Sequence, residues 1–509
     1  MKLNKLFLMA AMGLGLFACS ENELEGNGPD STQAEGTTYV GLKINFNSSS
    51  TRATGDQPVD GNGTTPPLYD DGGDGNENTI HDVRIIVTDA DGNIQFNDVA
   101  EKNSVGNDYI YTFKTTSGMK TFYAVVNGQV LGITGLDGKT GKWNDPKLEL
   151  KNKASELAKY DKTSTTAGKG FLMSSVDAVE QAIQPEVTKD DVLNNKLNNV
   201  SITVERVVAK VTMKVADDAI KEEGATLKEL TCQIGNADNY KYDKDATSDQ
   251  YTSAGTYLMA YNDNNVRKTN AYYTYPADNS EDFWTSFSQS SLLTGDVYTL
   301  RGTGAIEKAR FYCLENTHAS SNYLIGNTTF VRVAAKMTPK APQKFVKKGE
   351  QIVNELGTEP SQPETFYVVT AAPIETAKGA YVLASDLIAA YGSEADDITN
   401  GVETENDKKL EAVITVLKEK GYQFTEPYED GCGYYNVWVN DLKENGTYLN
   451  LAPVFRNDWY ELTITSLTLP GSANPDAGDP GQQIHPDTYV GVTLTVRDWN
   501  KVSHNVDLQ

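Results

Sequence analysis

Two segments at opposite ends of the chain share one pattern of apolar and polar positions. The first, TYVGLKINF, covers Thr38–Phe46, and the second, TYVGVTLTV, covers Thr488–Val496. At an offset of 450 positions, their first four residues are identical and the alternation agrees to the end. Because strand side chains alternate with a period of two, both segments are predicted to be strands with one apolar face. These faces are formed by Val40, Leu42, Ile44 and Phe46 in the early strand and by Val490, Val492, Leu494 and Val496 in the late strand.

Strands with the same face pattern can occupy the same position in a sheet. Our central hypothesis is therefore that the two segments compete for one position. The early strand fills it in a precursor, and the late strand of a neighbouring molecule, which includes Tyr489, fills it after the early strand has been removed. Since alternating strands are common in β proteins, the alternative is that the two strands are unrelated.

The remaining pattern predicts a mostly β protein with a few short helices. Short alternating runs separated by Gly, Asn and Asp recur in both halves of the chain. Helical spacing appears over 146–159, 176–197 and 407–420. The longest strand-like run is 200–215, and we place a domain boundary near its end. Residues 470–486 are rich in Gly, Pro and Asp and predict a tether that separates the late strand from the domain body.

Composition excludes several classes of function. A net charge of −25 over 509 residues argues against nucleic-acid binding, which needs clustered basic side chains. Beyond Cys19, the three cysteines Cys232, Cys313 and Cys432 are far apart, and no pair has metal-ligand spacing. One disulfide or three free thiols remain open. The four histidines are scattered and no hydrolase or metalloprotease motif occurs, so we expect neither an enzyme nor a cofactor or metal site.

The N-terminus predicts export and lipidation. A basic start and the apolar run 6–17 precede Ala18-Cys19, which resembles a bacterial lipobox with Cys19 as the lipid-bearing residue. The alternative is a plain secretory signal with a chance cysteine. After the early strand, residues 47–78 consist almost wholly of turn-forming residues. Arg52, followed by Ala53, is a candidate cleavage site for an arginine-specific protease, although an idle surface arginine is the alternative.

Four further motifs resemble the fimbrillin family, the subunits of type V pili, and within it the structural subunit of the short, or minor, fimbriae. They are TVERVVAKV at 203–211, ENTH at 315–318, RNDWYEL at 456–462 and VRDWNKVSHNVDL at 496–508. With the lipobox, they spread over essentially the whole chain. The resemblance implies two tandem β-sandwich domains, export as a lipoprotein to the outer membrane, cleavage after an Arg and polymerisation by donor-strand exchange.

On this resemblance, the expected divisions are a signal peptide (1–18), a lipidated propeptide (19–52), two sandwich domains (53–215 and 216–470) and a linker with the donor strand (471–509). The expected product is a cell-surface fimbria that supports adhesion and biofilm formation. Its expected partners are further copies of itself, anchor and tip subunits, the processing protease and the outer membrane. The alternative is a surface lipoprotein that binds glycans through exposed aromatics such as Trp438 and Trp459.

Overall fold

The computed structural model of the protein describes most of the chain between the early and the late strand. The described residues are 38–46, 77, 79–106, 108–143, 148–150, 152–159, 170–238, 240–243, 250–253, 256–263, 266–270, 289–318, 323–348, 351–374, 377–390, 406–441, 443–444, 447–476, 478, 480–485 and 490–498.

The N-terminal half of the described chain is built mainly from one large sheet. Its strands and those of two small neighbouring pairings are, in chain order, β1 Thr38–Phe46, β2 Val83–Thr88, β3 Ile94–Val99, β4 Glu101–Val105, β5 Asp108–Thr115, β6 Gly118–Val126, β7 Glu149–Leu150, β8 Ala158–Lys159, β9 Gly170–Phe171, β10 Met173–Ser175, β11 Val179–Ile183 and β12 Asn199–Arg206. Two short helices, α1 Ala154–Leu157 and α2 Lys189–Asn195, lie between these strands.

This sheet curls over a single apolar core. Among the described residues its strand order is β3-β2-β6-β10-β12-β1-β5-β4, with β11 paired to β6. The rings of Phe96 on β3 and Phe113 on β5 lie 4.7 Å apart, although these strands are far apart in the sheet order. Phe113 also contacts Phe122 on β6. The two ends of the sheet therefore face each other and form a sandwich.

The C-terminal half forms a second sandwich and a smaller module. Its strands are β13 Val208–Val215, β14 Ile220–Lys221, β15 Ala225–Gly235, β16 Tyr240–Asp243, β17 Gln250–Ser253, β18 Thr256–Asp263, β19 Val266–Asn270, β20 Leu293–Arg301, β21 Ala309–Leu314, β22 Phe330–Pro339, β23 Gln343–Lys348, β24 Gln351–Leu356, β25 Phe366–Ala371, β26 Tyr381–Leu383, β27 Gln423–Phe424, β28 Cys432–Trp438, β29 Lys443–Glu444, β30 Thr447–Tyr448, β31 Asp458–Thr468 and β32 Val490–Asp498.

Two of its sheets enclose the second core. In one, β31 pairs along one edge with β13 and then β14 and along its other edge with β32, and β21 lies beyond β13. The other has the order β20-β15-β22-β28. Val211 and Leu462 from the first sheet and Val333 and Val437 from the second share this core. The mostly β fold with two sandwiches agrees with the sequence prediction. A helix over 384–390 and α3, Asn406–Glu419, pack with β23, β25 and β26 around a third, smaller core.

Three sequence predictions of local structure are wrong in part. Of the predicted helical stretch 146–159, only Ala154–Leu157 is helical, whereas Glu149–Leu150 and Ala158–Lys159 pair as strands with chain segments distant in sequence. Residues 179–183, within the predicted helical stretch 176–197, form β11 on the edge of β6, and only Lys189–Asn195 is helical. The run 200–215 is two strands interrupted at Val207. Because β12 pairs with β10 and β1 whereas β13 pairs with β21 and β31, the chain passes from the first sheet to the second at Val207.

Three of the four motifs that carried the resemblance meet where the two sandwiches join. The buried guanidinium of Arg456 donates to the carboxylate of Glu315 at 3.0 Å. The side-chain oxygen of Asn457 accepts from the backbone of Arg206 at 3.1 Å. The indole of Trp459 donates to the hydroxyl of Thr212 just beyond the first motif. All of these residues are buried. The hydrogen bond between Asn457 and Arg206 joins the second sandwich to β12 of the first, whereas the other two hydrogen bonds lie within the second sandwich.

The side chains considered as binding platforms or thiol pairs lie mostly inside. Trp438 and Trp459 are both buried, so neither offers an exposed ring to a glycan. Cys232 and Cys313 are buried free thiols, and Cys432 is a partly buried one. In α3, Val413 and Leu417 are buried and Leu410 and Ile414 are partly buried, so the apolar stripe that these four residues form faces the third core.

Candidate strand-exchange site

The early strand, β1, is an interior strand of the N-terminal sheet. On one side it runs parallel to β12, with Leu42 opposite Val200 and Ile44 opposite Ile202. On the other side it runs antiparallel to β5, with Val40 opposite Phe113. In the sheet order, β5 and β4 reach β12 only through β1. Removal of β1 would therefore leave two facing unpaired edges, a template into which another strand can pair.

The apolar face of β1 is part of the core rather than a cover over it. Val40 and Leu42 have no exposed surface, and Ile44 is partly buried against the same cluster. Lys43, on the opposite face, is exposed. The predicted face pattern is therefore the one observed over the side chains that the structure describes. Without β1, the groove between β12 and β5 would expose the side chains that now pack on Val40 and Leu42.

The first residue of β1 is held by a small polar network. The buried hydroxyl of Thr38 donates to the carbonyl of Gln184 at 2.8 Å and accepts from the backbone amide of Val187 at 3.1 Å. The side-chain amide of Asn198 donates to the same hydroxyl at 3.2 Å and to the carbonyl of Tyr39 at 3.0 Å. This end of the groove therefore binds a hydroxyl side chain at one defined position.

The fourth residue of β1 has no room for a side chain. A Cβ on Gly41 would lie 2.5 Å from the side-chain oxygen of Asn199, 2.5 Å from a methyl of Val192 on α2 and 2.9 Å from a methyl of Ile110. Gly41 lies on the face opposite the apolar residues, so α2 crosses β1 at the one position where the strand is bare. At this point the groove accepts only glycine without a shift of α2 or its neighbours.

The late strand, β32, lies against its own C-terminal domain in this structure. It pairs antiparallel with β31, from Val490 opposite Leu467 to Asp498 opposite Asp458. Val490, Val492 and Leu494 contact the second core but are only partly buried. The late strand is thus not in the early strand's groove, and its apolar face is less well covered than that of β1.

The segment before β32 is attached to the domain, so the prediction of a tether that isolates the strand from the domain body is wrong. Ser472 exchanges two backbone hydrogen bonds with Tyr434. Further along, the amide of Ile484 donates to the carbonyl of Tyr323, and the indole of Trp438 donates to the carbonyl of His485 at 2.8 Å. Gly and Pro exclude regular structure here, but they do not prevent the backbone from pairing with neighbouring strands.

Glu77 anchors the chain that leads into the domain body. Its carboxylate lies 3.0 Å from the ammonium of Lys210 and accepts a hydrogen bond from the hydroxyl of Tyr312 at 2.8 Å. Its carbonyl accepts from the guanidinium of Arg206. These partners lie on β12, β13 and β21, at the junction of the two sheets. The chain is therefore fixed to the body from Glu77 onward, independently of β1.

Several predicted site residues lie outside the described part of the chain. They are Cys19, Arg52, Ala53 and Tyr489 and the side chains of Phe46 and Val496. Over the described residues, no three or more His, Cys, Asp or Glu side chains come together as a metal site would require. In the same residues no helix has the length and apolar character needed to cross a bilayer.

Sequence reasoning identified the apolar face of β1 but missed the residues that position it. Thr38 and Gly41 matter on account of Asn198 and α2, which are distant in sequence. The signal was present in the pair of segments, because Thr, Tyr, Val and Gly are the four residues that the two strands share. Glu77 gave no signal, since it lies at the end of a stretch of turn-forming residues.

Comparison with known proteins points to one family. Residues 426–505 match the sequence model of the C-terminal part of fimbrillin, described as "Major fimbrial subunit protein type IV". The minor fimbrium subunit Mfa1 of Porphyromonas gingivalis is 24% identical, over 93% of this chain and 88% of its own length. These matches confirm the resemblance that the sequence motifs indicated.

Two solved structures are similar in outline. The fimbrilin FimA of Porphyromonas gingivalis W83 is 15% identical, over 91% of this chain and 98% of that one, with a TM-score of 0.44. A putative cell adhesion protein from Parabacteroides distasonis is 13% identical, over 91% of this chain and 100% of that one, with a TM-score of 0.42.

Proposed function

We propose that the chain is a member of the fimbrillin family and a fimbrial subunit that polymerises by exchange of a terminal strand. The precursor is exported as a lipoprotein through Cys19 and is closed by its own β1. Cleavage after Arg52 separates β1 and the lipid from residues 53–509. The late strand of a second copy, with Tyr489, Val490, Val492, Leu494 and Val496, then enters the groove between β12 and β5.

The observation that supports this proposal most strongly is the interior position of β1. A strand that could be lost without consequence would lie at an edge, but β1 joins β5 and β4 to the rest of the sheet. The body beyond it is attached separately through Glu77. A cut in 47–76 therefore frees the strand without detaching the start of the body, and the sheet then needs a replacement.

The energetics favour a tight joint between subunits. Each fully buried apolar side chain in the groove contributes about 1.5–3 kcal/mol, and each ladder hydrogen bond adds about 0.5–1.5 kcal/mol net. Against this stands the loss of the β31–β32 ladder in the donor. The ladder bonds exchanged are similar in kind, so the deeper burial at the positions of Val40 and Leu42 provides the gain. Because the joint is head-to-tail and does not close, repetition makes a filament.

Further subunits and the cell surface complete the proposal. The assembly includes anchor and tip subunits and is localised in a cell-surface fimbria at the outer membrane, where it supports adhesion and biofilm formation. An arginine-specific protease is the processing partner. A glycan-binding lipoprotein remains the second candidate, but the burial of Trp438 and Trp459 removes the platforms on which it was based.

Limited digestion of the purified precursor with an arginine-specific protease tests the proposal. We expect a cut after Arg52, checked by N-terminal sequencing, followed by ladders on unheated SDS gels and filaments by electron microscopy. The variant Arg52→Ala should stay monomeric under the same treatment. A chain truncated after His485 should be cut normally yet form no ladder. Cut protein that remains monomeric, or ladders that persist in the truncated chain, would rule out exchange of the late strand.

A further inference from the structure

We infer that the groove reads Thr-x-x-Gly at the start of an incoming strand, so that Thr488 and Gly491 fix the register and direction of the donor. This inference rests on the proposed function and specifies which residues decide how the donor enters. It gives Thr488 and Gly491 of the late strand a role in binding, whereas the proposed function depends only on the apolar residues of that strand.

Gly41 marks a position in the groove where no side chain fits. At Gly41, a Cβ would meet Val192, Ile110 and Asn199 at 2.5–2.9 Å, closer than such atoms approach in folded proteins. A late strand aligned at the same offset of 450 brings Gly491 to this position. A shift by two residues keeps the apolar face inward but brings Tyr489 or Thr493 under α2. Since neither side chain fits there, such registers are excluded.

Thr38 marks a second position, where the groove binds a buried hydroxyl. Thr38 satisfies the amide of Val187 and the side-chain amide of Asn198, and its own proton goes to the carbonyl of Gln184. In the same register Thr488 supplies an identical hydroxyl. A valine there would leave the buried amide of Val187 without an acceptor and would remove one of the acceptors of the Asn198 side chain, which weakens binding.

Together the two positions also set the direction. A donor that ran the opposite way could still place Gly491 under α2 and keep its apolar face toward the core. It would then bring Leu494 to the place of Thr38, against Asn198 and the carbonyl of Gln184. Only the direction of β1, parallel to β12, satisfies both positions at once.

Gly491 also lies within the β31–β32 ladder of its own molecule. On β31 it lies opposite Ser466, beside an irregularity in the ladder between Ile464 and Ser466. A substitution in the full chain would therefore disturb two places. A peptide added in trans separates them, because it enters the groove without replacing β32 in its own domain.

The test uses the full-length precursor, cleaved by an arginine-specific protease in the presence of a labelled peptide covering residues 486–496, which contains no Arg. We expect the wild-type peptide to co-migrate with the cleaved protein on unheated SDS gels and to suppress ladders. The Gly491→Ala and Thr488→Val peptides should each need about tenfold more peptide for the same suppression, equivalent to about 1.4 kcal/mol. The matched control is Thr493→Val, at the position of exposed Lys43, and should act within about twofold of wild type.

The outcomes separate the inference from the function beneath it. If the Gly491→Ala and Thr488→Val peptides suppress ladders as well as the wild-type peptide, the register reading is overturned while strand exchange stands. If the Thr493→Val control peptide suppresses ladders as weakly as the other two variants, the register reading is also overturned, because the effect would not depend on which position of the strand is changed. If the wild-type peptide does not enter the cleaved protein and no ladder forms without it, the proposed function itself fails.

Discussion

The sharpest prediction concerns two residues at the same place in the alternation, Leu42 in β1 and Val492 in β32. Leu42 has no exposed surface in the precursor. Its change to alanine removes three carbons, about 2.4 kcal/mol of transfer free energy, and a residual cavity of about 40 Å³ adds about 1 kcal/mol. We expect Leu42→Ala to lower the free energy of unfolding of the precursor's N-terminal sandwich by about 3 kcal/mol.

For Val492 we expect the opposite result, a small effect on the monomer and a large effect on the polymer. In the monomer its side chain is only partly buried, so Val492→Ala should cost less than about 1 kcal/mol there. In the polymer it takes the fully buried place of Leu42, where the loss of two carbons and the cavity amount to about 2 kcal/mol. That corresponds to a joint between subunits about 30-fold weaker. Leu42→Ala should leave the polymer unchanged, since β1 has left it.

Two measurements check this pair. Urea unfolding of each precursor by circular dichroism, with hydrogen exchange on β5 and β12 to assign the transition, gives monomer stability. Heating of assembled ladders in SDS gives the strength of the joint. Thr493→Ala, on the opposite face of the late strand, is the matched control and should change neither the stability of the monomer nor the strength of the joint. The reasoning is refuted if Leu42→Ala weakens the polymer as much as Val492→Ala, or if the Leu42→Ala precursor is as stable as wild type.

Three further predictions concern the body of the protein. Glu77→Gln should destabilise the precursor by about 3 kcal/mol in thermal unfolding, because it leaves the buried Lys210 without its carboxylate. Adding Lys210→Met should recover much of this loss. A cost near zero for the single change would contradict the role of Glu77 as an anchor. Burial lowers the pKa of His318 to about 4, below its ordinary 6.5, so its contribution is complete above about pH 6.5 and about 3 kcal/mol of stability is lost as the pH falls to about 4. His318→Gln should flatten that part of the pH–stability curve, and an unchanged slope would assign it to other groups. Trp438→Phe removes the hydrogen bond to His485 and should speed proteolysis of 470–489 about fivefold, whereas the control Trp459→Phe should not.

Much of the fold could be predicted because it depends on local patterns. The alternation in β1, β15, β22 and β31 and the helical stripe of α3 follow from side-chain periodicity, which neighbours along the chain define by themselves. The mostly β class follows from the short alternating runs that Gly, Asn and Asp separate. The similarity of the early and the late strand was also visible in the sequence, since it needs only two copies of one pattern, and the exchange of one for the other stays a prediction.

Predictions from the sequence were wrong where the local structure depends on a pairing partner that is distant along the chain. Residues 179–183 became a strand because β6 offered a free edge, and the linker after 470 was attached to the domain because Tyr434 and Tyr323 presented unpaired backbone groups. The change of sheet at Val207 depends on which strands flank β12 and β13. None of these partners is visible in the local pattern.

The sequence alone therefore determined which residues of the early strand face a core and that the late strand carries the same face. Where those strands lie, and what surrounds them, depended on the tertiary structure. It placed β1 in the interior of its sheet, put α2 over Gly41 and Asn198 beside Thr38, and left β32 partly buried on β31. The reason is physical: alternation is a property of one strand, whereas the fit of a strand in a groove depends on every element that lines the groove.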